Sequence, residues 1–130
     1  MTKKNEVIIP LEKPHKDARG MIQKLIDFPV GSVHVITSKK GTVRANHYHK
    51  QDDHYCYLAS GRMNYYWRPA GSTARPRKMV IKPGQMFYSP PMVEHAMQFT
   101  ADSVFYVFAK LRRKQEDYEN DVVRITLVEP

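Results

Sequence analysis

Four histidines in this chain stand where their type and spacing can do chemistry. Three fall within eight residues of GTVRANHYHKQDDHYCYLASG, as His47, His49 and His54; the fourth, His95, lies in PGQMFYSPPMVEHAMQF. On an extended strand, side chains at i and i+2 share a face, so His47 and His49 project together and Tyr48 points the other way. His54 follows the polar stretch KQDD and shares its face with Cys56 and Leu58, which suit an interior; His95 shares one with Met97 and Phe99. Neutral imidazole is a common ligand for divalent transition metals and a ready general base near neutral pH. An i, i+2 pair joined by residues from neighbouring strands therefore describes either a metal cage or a proton-transfer cluster. A lone histidine on an apolar face is more often a satisfied core or surface residue. Four that can meet inside one barrel are harder to dismiss, because each buried imidazole left without a partner costs roughly 1–3 kcal/mol. His15 and His34 lack such company.

The elements that must position these rings are short and extended. Nine prolines and six glycines punctuate the chain and leave little room for a long helix. Between them lie β-type runs rich in Val, Ile, Tyr, Phe and Thr: EVII, MIQKLIDF, SVHVIT, HYCYLAS, RMNYYWR, KMVI, QMFYS, HAMQFT, SVFYVFAK and VVRITLV. Short strands at this spacing indicate a sandwich or barrel. SGR at 60–62 reads as a tight turn closing a hairpin, 68–78 as a loop, and Pro83-Gly84 as a type II turn. The polar segment RRKQEDYEND, 112–121, reads as a short helix or excursion before the last strand.

Bulk properties narrow the rest. The 130 residues fit one domain, 42% hydrophobic and 26% charged, as in ordinary globular proteins. No apolar run approaches the roughly 20 residues that span a bilayer, and no signal segment opens the chain. With Cys56 as the lone cysteine there is no internal disulfide, and a cytoplasmic location is expected. The net charge of +8 is spread over small groups of Lys and Arg, without the block expected for a nucleic-acid or membrane partner. The excess reads first as a solvated surface that favours solubility, and a small-molecule substrate bearing a diphosphate is its best functional reading.

The motif spacing resembles the cupin superfamily. Gly41, five residues, His47-Tyr48-His49, four residues, His54, six residues and Gly61 reproduce its first motif, with His54 where cupins usually carry Glu. Gly84, five residues, Pro90 and then His95 reproduce the second, with Met92 in place of Gly and Phe99 in place of Asn. The resemblance implies an all-β double-stranded β-helix, a jelly-roll barrel: one domain over 1–130, with an N-terminal arm (1–20), motif 1 (41–61), motif 2 (84–99) and a C-terminal extension (111–130). It implies a divalent transition metal held by His47, His49, His54 and His95. Iron, manganese, nickel, zinc or copper suit four imidazoles, and Mg and Ca do not. Such proteins commonly pair, so a homodimer is expected. A looser resemblance joins Asp17-Ala18-Arg19-Gly20 and Arg44-Ala45-Asn46-His47-Tyr48-His49-Lys50 to cupins that act on nucleotide sugars, the 3,5-epimerases and 3,4-ketoisomerases, with Ala45 where Gly is expected. In ketoisomerases the paired histidines imply proton transfer beside a sugar carbonyl. Carried over, His49 or His47 is the base, and Arg44 or Arg19 lies near the diphosphate. Asp17 and Arg19 also read simply as a turn with an ion pair.

The leading expectation is an enzyme that isomerises or epimerises a keto-sugar with metal help. The alternatives are an Fe(II) dioxygenase, a non-catalytic sugar- or metabolite-binding cupin, and a metal-free ketoisomerase using the same histidines. Among the remaining residues, Cys56 reads as a buried small hydrophobe and Glu94 as exposed. Asp52 and Asp53 read as a solvated turn, or otherwise as acceptors for an imidazole N–H. Met86, Met92 and Met97 could line a pocket near His95 or fill the core. Tyr65, Tyr66 and Trp67 cannot all face inward.

Overall fold

A computed structural model of the chain describes residues 7–130. Part of the expected N-terminal arm, residues 1–6, lies outside the described residues. Ten strands and one helix follow in order: β1 (Ile8–Ile9), β2 (His15–Asp17), β3 (Gly20–Ile22), β4 (Ser32–Ser38), β5 (Val43–His49), β6 (His54–Pro69), β7 (Arg77–Ile81), β8 (Met86–Ser89), β9 (Val93–Ala109), α1 (Gln115–Asp121) and β10 (Val122–Arg124). All pairings are antiparallel, in the order β1-β8-β6-β9-β5-β10, with β4 also on β9 and β7 on β6. The all-β barrel and the short C-terminal helix are as the sequence leads one to expect. No helix among the described residues is long and apolar enough to cross a membrane.

Two long strands make the barrel. β6 and β9 pair along their length, and the register slips between Leu58 and Met63. The slip falls at Gly61, which corrects the hairpin expected at 60–62: HYCYLAS and RMNYYWR are one strand, bent rather than reversed. Gly61 holds φ +97 against the Asp102 carbonyl and Ser103, where a Cβ would have no room, so only glycine makes this bend. HAMQFT and SVFYVFAK likewise fuse into β9. One half of β6 thereby pairs with β8 and the other half with β7, and its inward positions shift at the bend from Cys56 and Leu58 to Met63 and Tyr65.

The interior follows that alternation. Cys56, Leu58, Met63, Tyr65, Ile81, Phe87, Phe99 and Phe105 form the buried core. Met86 is core, Met97 is buried beside the histidines, and Met92 is exposed, so the three methionines have three different surroundings. Tyr65 is buried, Trp67 is half-buried beside it, and Tyr66 turns outward to donate to Gln98 Oε1. Of MIQKLIDF only the first residues join a strand, in the separate β2–β3 hairpin, where DARG makes the turn and Asp17 pairs with Arg19 at 2.7 Å. Gly84, at φ +87, closes the expected turn with the Gln85 N–H donating to the Lys82 carbonyl.

Candidate active site

The barrel gathers all four histidines. His47 and His49 come from β5, His54 from the start of β6 and His95 from the start of β9. Ring centroids lie 4.8 Å apart for His47–His49 and for His47–His95, 4.5 Å for His49–His54 and 5.9 Å for His49–His95. Local backbone geometry aims β5. Ala45 and Asn46 adopt φ 71° and 55°, and a bulge there sets His47 opposite His95. Asn46 uses the bend to hold the C-terminal segment, its Oδ1 accepting from the Leu127 and Val128 N–H groups.

Three of the rings are fixed by different partners. A carboxylate only accepts, so His49 carries its proton on Nδ1 and donates to Asp121 Oδ2 at 3.0 Å. Its Nε2 is then a lone-pair acceptor, buried and without a partner. His95 Nδ1 lies 3.2 Å from the Val93 carbonyl and 3.1 Å from Ser89 Oγ, so it too holds a proton there and leaves Nε2 as an acceptor. His54 is held by the other nitrogen, Nε2 donating to Asp52 Oδ2 at 3.1 Å. Asp52 is buried, its other oxygen accepting from the Asp53 and Leu111 N–H groups, which corrects the solvated-turn reading. Burial opposes its ionisation, yet the bonds from His54 and Leu111 win, and its acid stays below the usual range.

Burial and mutual repulsion favour the neutral form of His47, His49 and His95. Burial, with help from His95 and His49, pulls His47 down to about 2, and burial pulls His95 down to about 3. His49 is lowered as well, by burial and then by His54, against the raising pull of Asp121 and Asp52. Neutral imidazoles at physiological pH are what either a base or a metal ligand requires.

A cavity of about 120 Å³ adjoins the cluster, bordered by His47, His54 and His95, by Arg44 and Met97, and by Arg113 and Tyr118. The last two come from the C-terminal excursion, with the Arg113 guanidinium 4.0 Å from the Tyr118 ring centre. Arg44 does reach the cavity wall, but its guanidinium donates to Ser38 Oγ at 2.6 Å and to the Thr37 carbonyl at 2.9 Å, tying β5 to β4. Arg19 belongs to the exposed β2–β3 hairpin. Sequence reasoning missed Asp121, Arg113 and Tyr118, all in a polar segment with no recognisable spacing. It also misplaced Glu94, which is buried because the β6–β9 pairing sets Arg68 opposite it, bonded at 2.8 Å, and the Gly71 N–H donates to its other oxygen.

Neither the protein-family models nor the curated proteins give a match to this chain. Solved structures do. A doubly substituted QdtA 3,4-ketoisomerase from Thermoanaerobacterium thermosaccharolyticum, in complex with TDP, is 24% identical, covers 95% of this chain and 89% of its own, and superposes with a TM-score of 0.74. The chain has the cupin fold. A 3,4-ketoisomerase from Helicobacter canadensis shares the fold at 17% identity over 86% of this chain and 85% of its own, with a TM-score of 0.71. A dTDP-4-dehydrorhamnose 3,5-epimerase from Sulfolobus tokodaii shares it at 20% identity over 87% and 73%, also at 0.71.

Donor chemistry in this site also fits a metal. His47, His49 and His95 offer ligand atoms that all lie within 4.8 Å of one another, and His49, Asp52 and His54 form a second such group. The two groups share His49, and the second brings in Asp52 beside His54. The carboxylate on His49 and the carbonyl on His95 are the partners that orient metal-binding imidazoles.

Proposed function

We propose that this cupin isomerises or epimerises a keto-sugar carried on a nucleoside diphosphate, with His49 as the base. The observation that carries the reading is the His49–Asp121 pair, which fixes the protonated nitrogen and leaves a buried lone pair on Nε2 among three other imidazoles. The reaction class is proton transfer next to a carbonyl. His49 takes the proton from the carbon beside the ketone, and the electron pair moves to the carbonyl oxygen to give an enediolate. In a 3,4-ketoisomerisation the neighbouring hydroxyl proton passes to that oxygen and His49 returns its proton to the former carbonyl carbon; in an epimerisation a solvent proton enters the same carbon from the other face and His49 gives its own proton to solvent. Arg113 and Arg44, on the cavity wall, supply positive charge for the oxyanion. Fold neighbours of this chemistry, including a QdtA histidine-to-asparagine variant in complex with TDP-4-keto-6-deoxyglucose at 21% identity, support the choice of substrate class.

One observation favours a metal-assisted form of the same reaction, the convergence of His47, His49 and His95 donors within 4.8 Å. A divalent transition ion held there would act as a Lewis acid on the substrate carbonyl. Both forms are tested by proton NMR of TDP-4-keto-6-deoxyglucose with the protein in D2O, with and without EDTA. Deuterium entering the sugar ring together with a new ketose or epimer is the expected result. Activity that survives EDTA assigns the reaction to the imidazoles alone, and activity lost to EDTA and restored by an added ion assigns it to the metal form. Oxygen consumption would replace the proposal with a dioxygenase, and a raised melting temperature without turnover would replace it with a binding protein.

A further inference from the structure

A larger cavity, about 370 Å³, lies between the end of β6 and β8. It shares no lining residue with the histidine cavity. Two stacked rings mark the division: Tyr65 lines this cavity and His95 the other, with centroids 6.2 Å apart. Tyr65 also stacks on Trp67 at 5.7 Å and 25°, giving one preformed flat aromatic wall, and Tyr88 stands on the rim. Three arginines line the same cavity: Arg68 from the end of β6, Arg75 from the β6–β7 connection and Arg77 from the start of β7. Arg68 is spent on structure, donating to Glu94 at 2.8 Å and to the Ala74 carbonyl at 2.9 Å, which anchors the loop. Arg75 and Arg77 have no acidic partner among the described residues.

An aromatic wall beside two guanidinium groups that meet no acid among the described residues has a definite complement. A flat ring stacks on half-buried Trp67, which is backed by buried Tyr65, and a phosphate matches the fork of an arginine. The volume falls within the few hundred Å³ typical of small-ligand sites. We propose that this cavity is a second ligand site, separate from the histidine cavity, that takes a nucleotide by stacking its base on Trp67 and pairing its phosphates with Arg75 and Arg77. Because Tyr65 stacks on Trp67 and on His95, occupancy presses directly on a member of the histidine cluster.

Trp67 is the sole tryptophan, so its fluorescence reads this cavity without a label. The full chain is titrated with thymidine diphosphate, and with thymidine as the uncharged control. The expected result is saturable quenching by the diphosphate and at least tenfold weaker binding of thymidine. Arg75→Ala with Arg77→Ala should raise the diphosphate Kd at least tenfold while the melting temperature and any keto-sugar turnover stay near those of the parent chain. His49→Asn should leave the Kd unchanged, which separates this site from the proposed catalytic one whether or not turnover is found. Absent quenching, or quenching indifferent to the double substitution, overturns the proposal. So does loss of turnover in step with loss of quenching, because the cavity would then be the nucleotide half of a single substrate site.

Discussion

Replacing Asp121 by Asn tests the proposed chemistry at one atom. In the parent chain Asp121 Oδ1 accepts from the Gln51 N–H at 2.7 Å, while Oδ2 accepts from His49 Nδ1 at 3.0 Å and from the Asp52 N–H at 3.3 Å. Asparagine keeps an oxygen for Gln51 and turns an N–H toward His49. The imidazole then shifts its proton to Nε2, and the lone pair needed for proton abstraction is gone. A general base contributes roughly 10²–10⁴ in rate, so kcat should fall by about that factor, or about 3–5 kcal/mol of barrier. Neither Asp121 nor His49 borders the histidine cavity, whose wall carries His47, His54 and His95, so the substitution should act on proton transfer and move KM by no more than a few-fold. Stability should fall by about 1–2 kcal/mol for the lost charge-assisted bond. The assay is ring-proton exchange with the keto-sugar nucleotide in D2O, with thermal melts to confirm folding. Two residues acting as one unit are not additive, so adding Asp121→Asn to His49→Asn should cost little more. A folded Asp121→Asn protein within threefold of parental kcat, or one that loses only KM, would refute the reasoning.

Ala45 and Met92 occupy φ 71° and 61°, at the two positions where the related patterns carry glycine. Relief of about 1–2 kcal/mol of left-handed strain, less the extra entropy of glycine in the unfolded chain, leaves a gain of about 0.5–1 kcal/mol for Ala45→Gly and for Met92→Gly in urea melts. Unchanged or lower midpoints would speak against strain. The depressed His47 and His95 make stability depend on pH. Both folded values, about 2 and about 3, lie below the ordinary 6.5, so the unfolded chain binds protons first. In EDTA-treated protein stability is full above about pH 6.5 and falls toward pH 3 by about 2–3 kcal/mol per pH unit; denaturant midpoints equal at pH 7 and pH 5 would contradict this. Val33 and Val35 are 56% and 62% exposed on β4. We expect this apolar face to pair two copies, so that Val33→Lys with Val35→Lys turns a sedimenting dimer into a monomer; a monomeric parent chain would exclude it.

How much of this was legible beforehand depended on the range of the signal. Alternation put His54, Cys56 and Leu58 on one inward face, and the i, i+2 rule put His47 and His49 together; both survive because strand period is local. The expected hairpin at 60–62 failed for a reason of longer range. Gly61 signals a change of direction, but whether the chain reverses or only bends depends on β9 lying alongside, and nothing between Ser60 and Arg62 encodes that. Glu94 failed in the same way, since its partner Arg68 sits 26 residues earlier and is brought across by the β6–β9 pairing.

Asp121 carries the argument furthest. Its residue type is common, its neighbours are polar, and no spacing links it to His49, 72 residues away. The helix that bears it has no side-chain cap at its start and buries no residue, so neither propensity nor an apolar stripe explains why it forms there. What fixes it is the far end: β10 pairs with β5, setting Val122 opposite His49, and the preceding carboxylate then meets the ring and the N–H groups of the 50–52 turn. The β5 bulge contributes to the same docking, because Asn46 at φ 55° clamps residues 127 and 128. A backbone irregularity where glycine would be easier thus both aims His47 and anchors the segment that orients His49. If so, Asn46→Gly should relax the strain yet loosen Asp121, and its effect on the proposed activity should exceed its effect on stability.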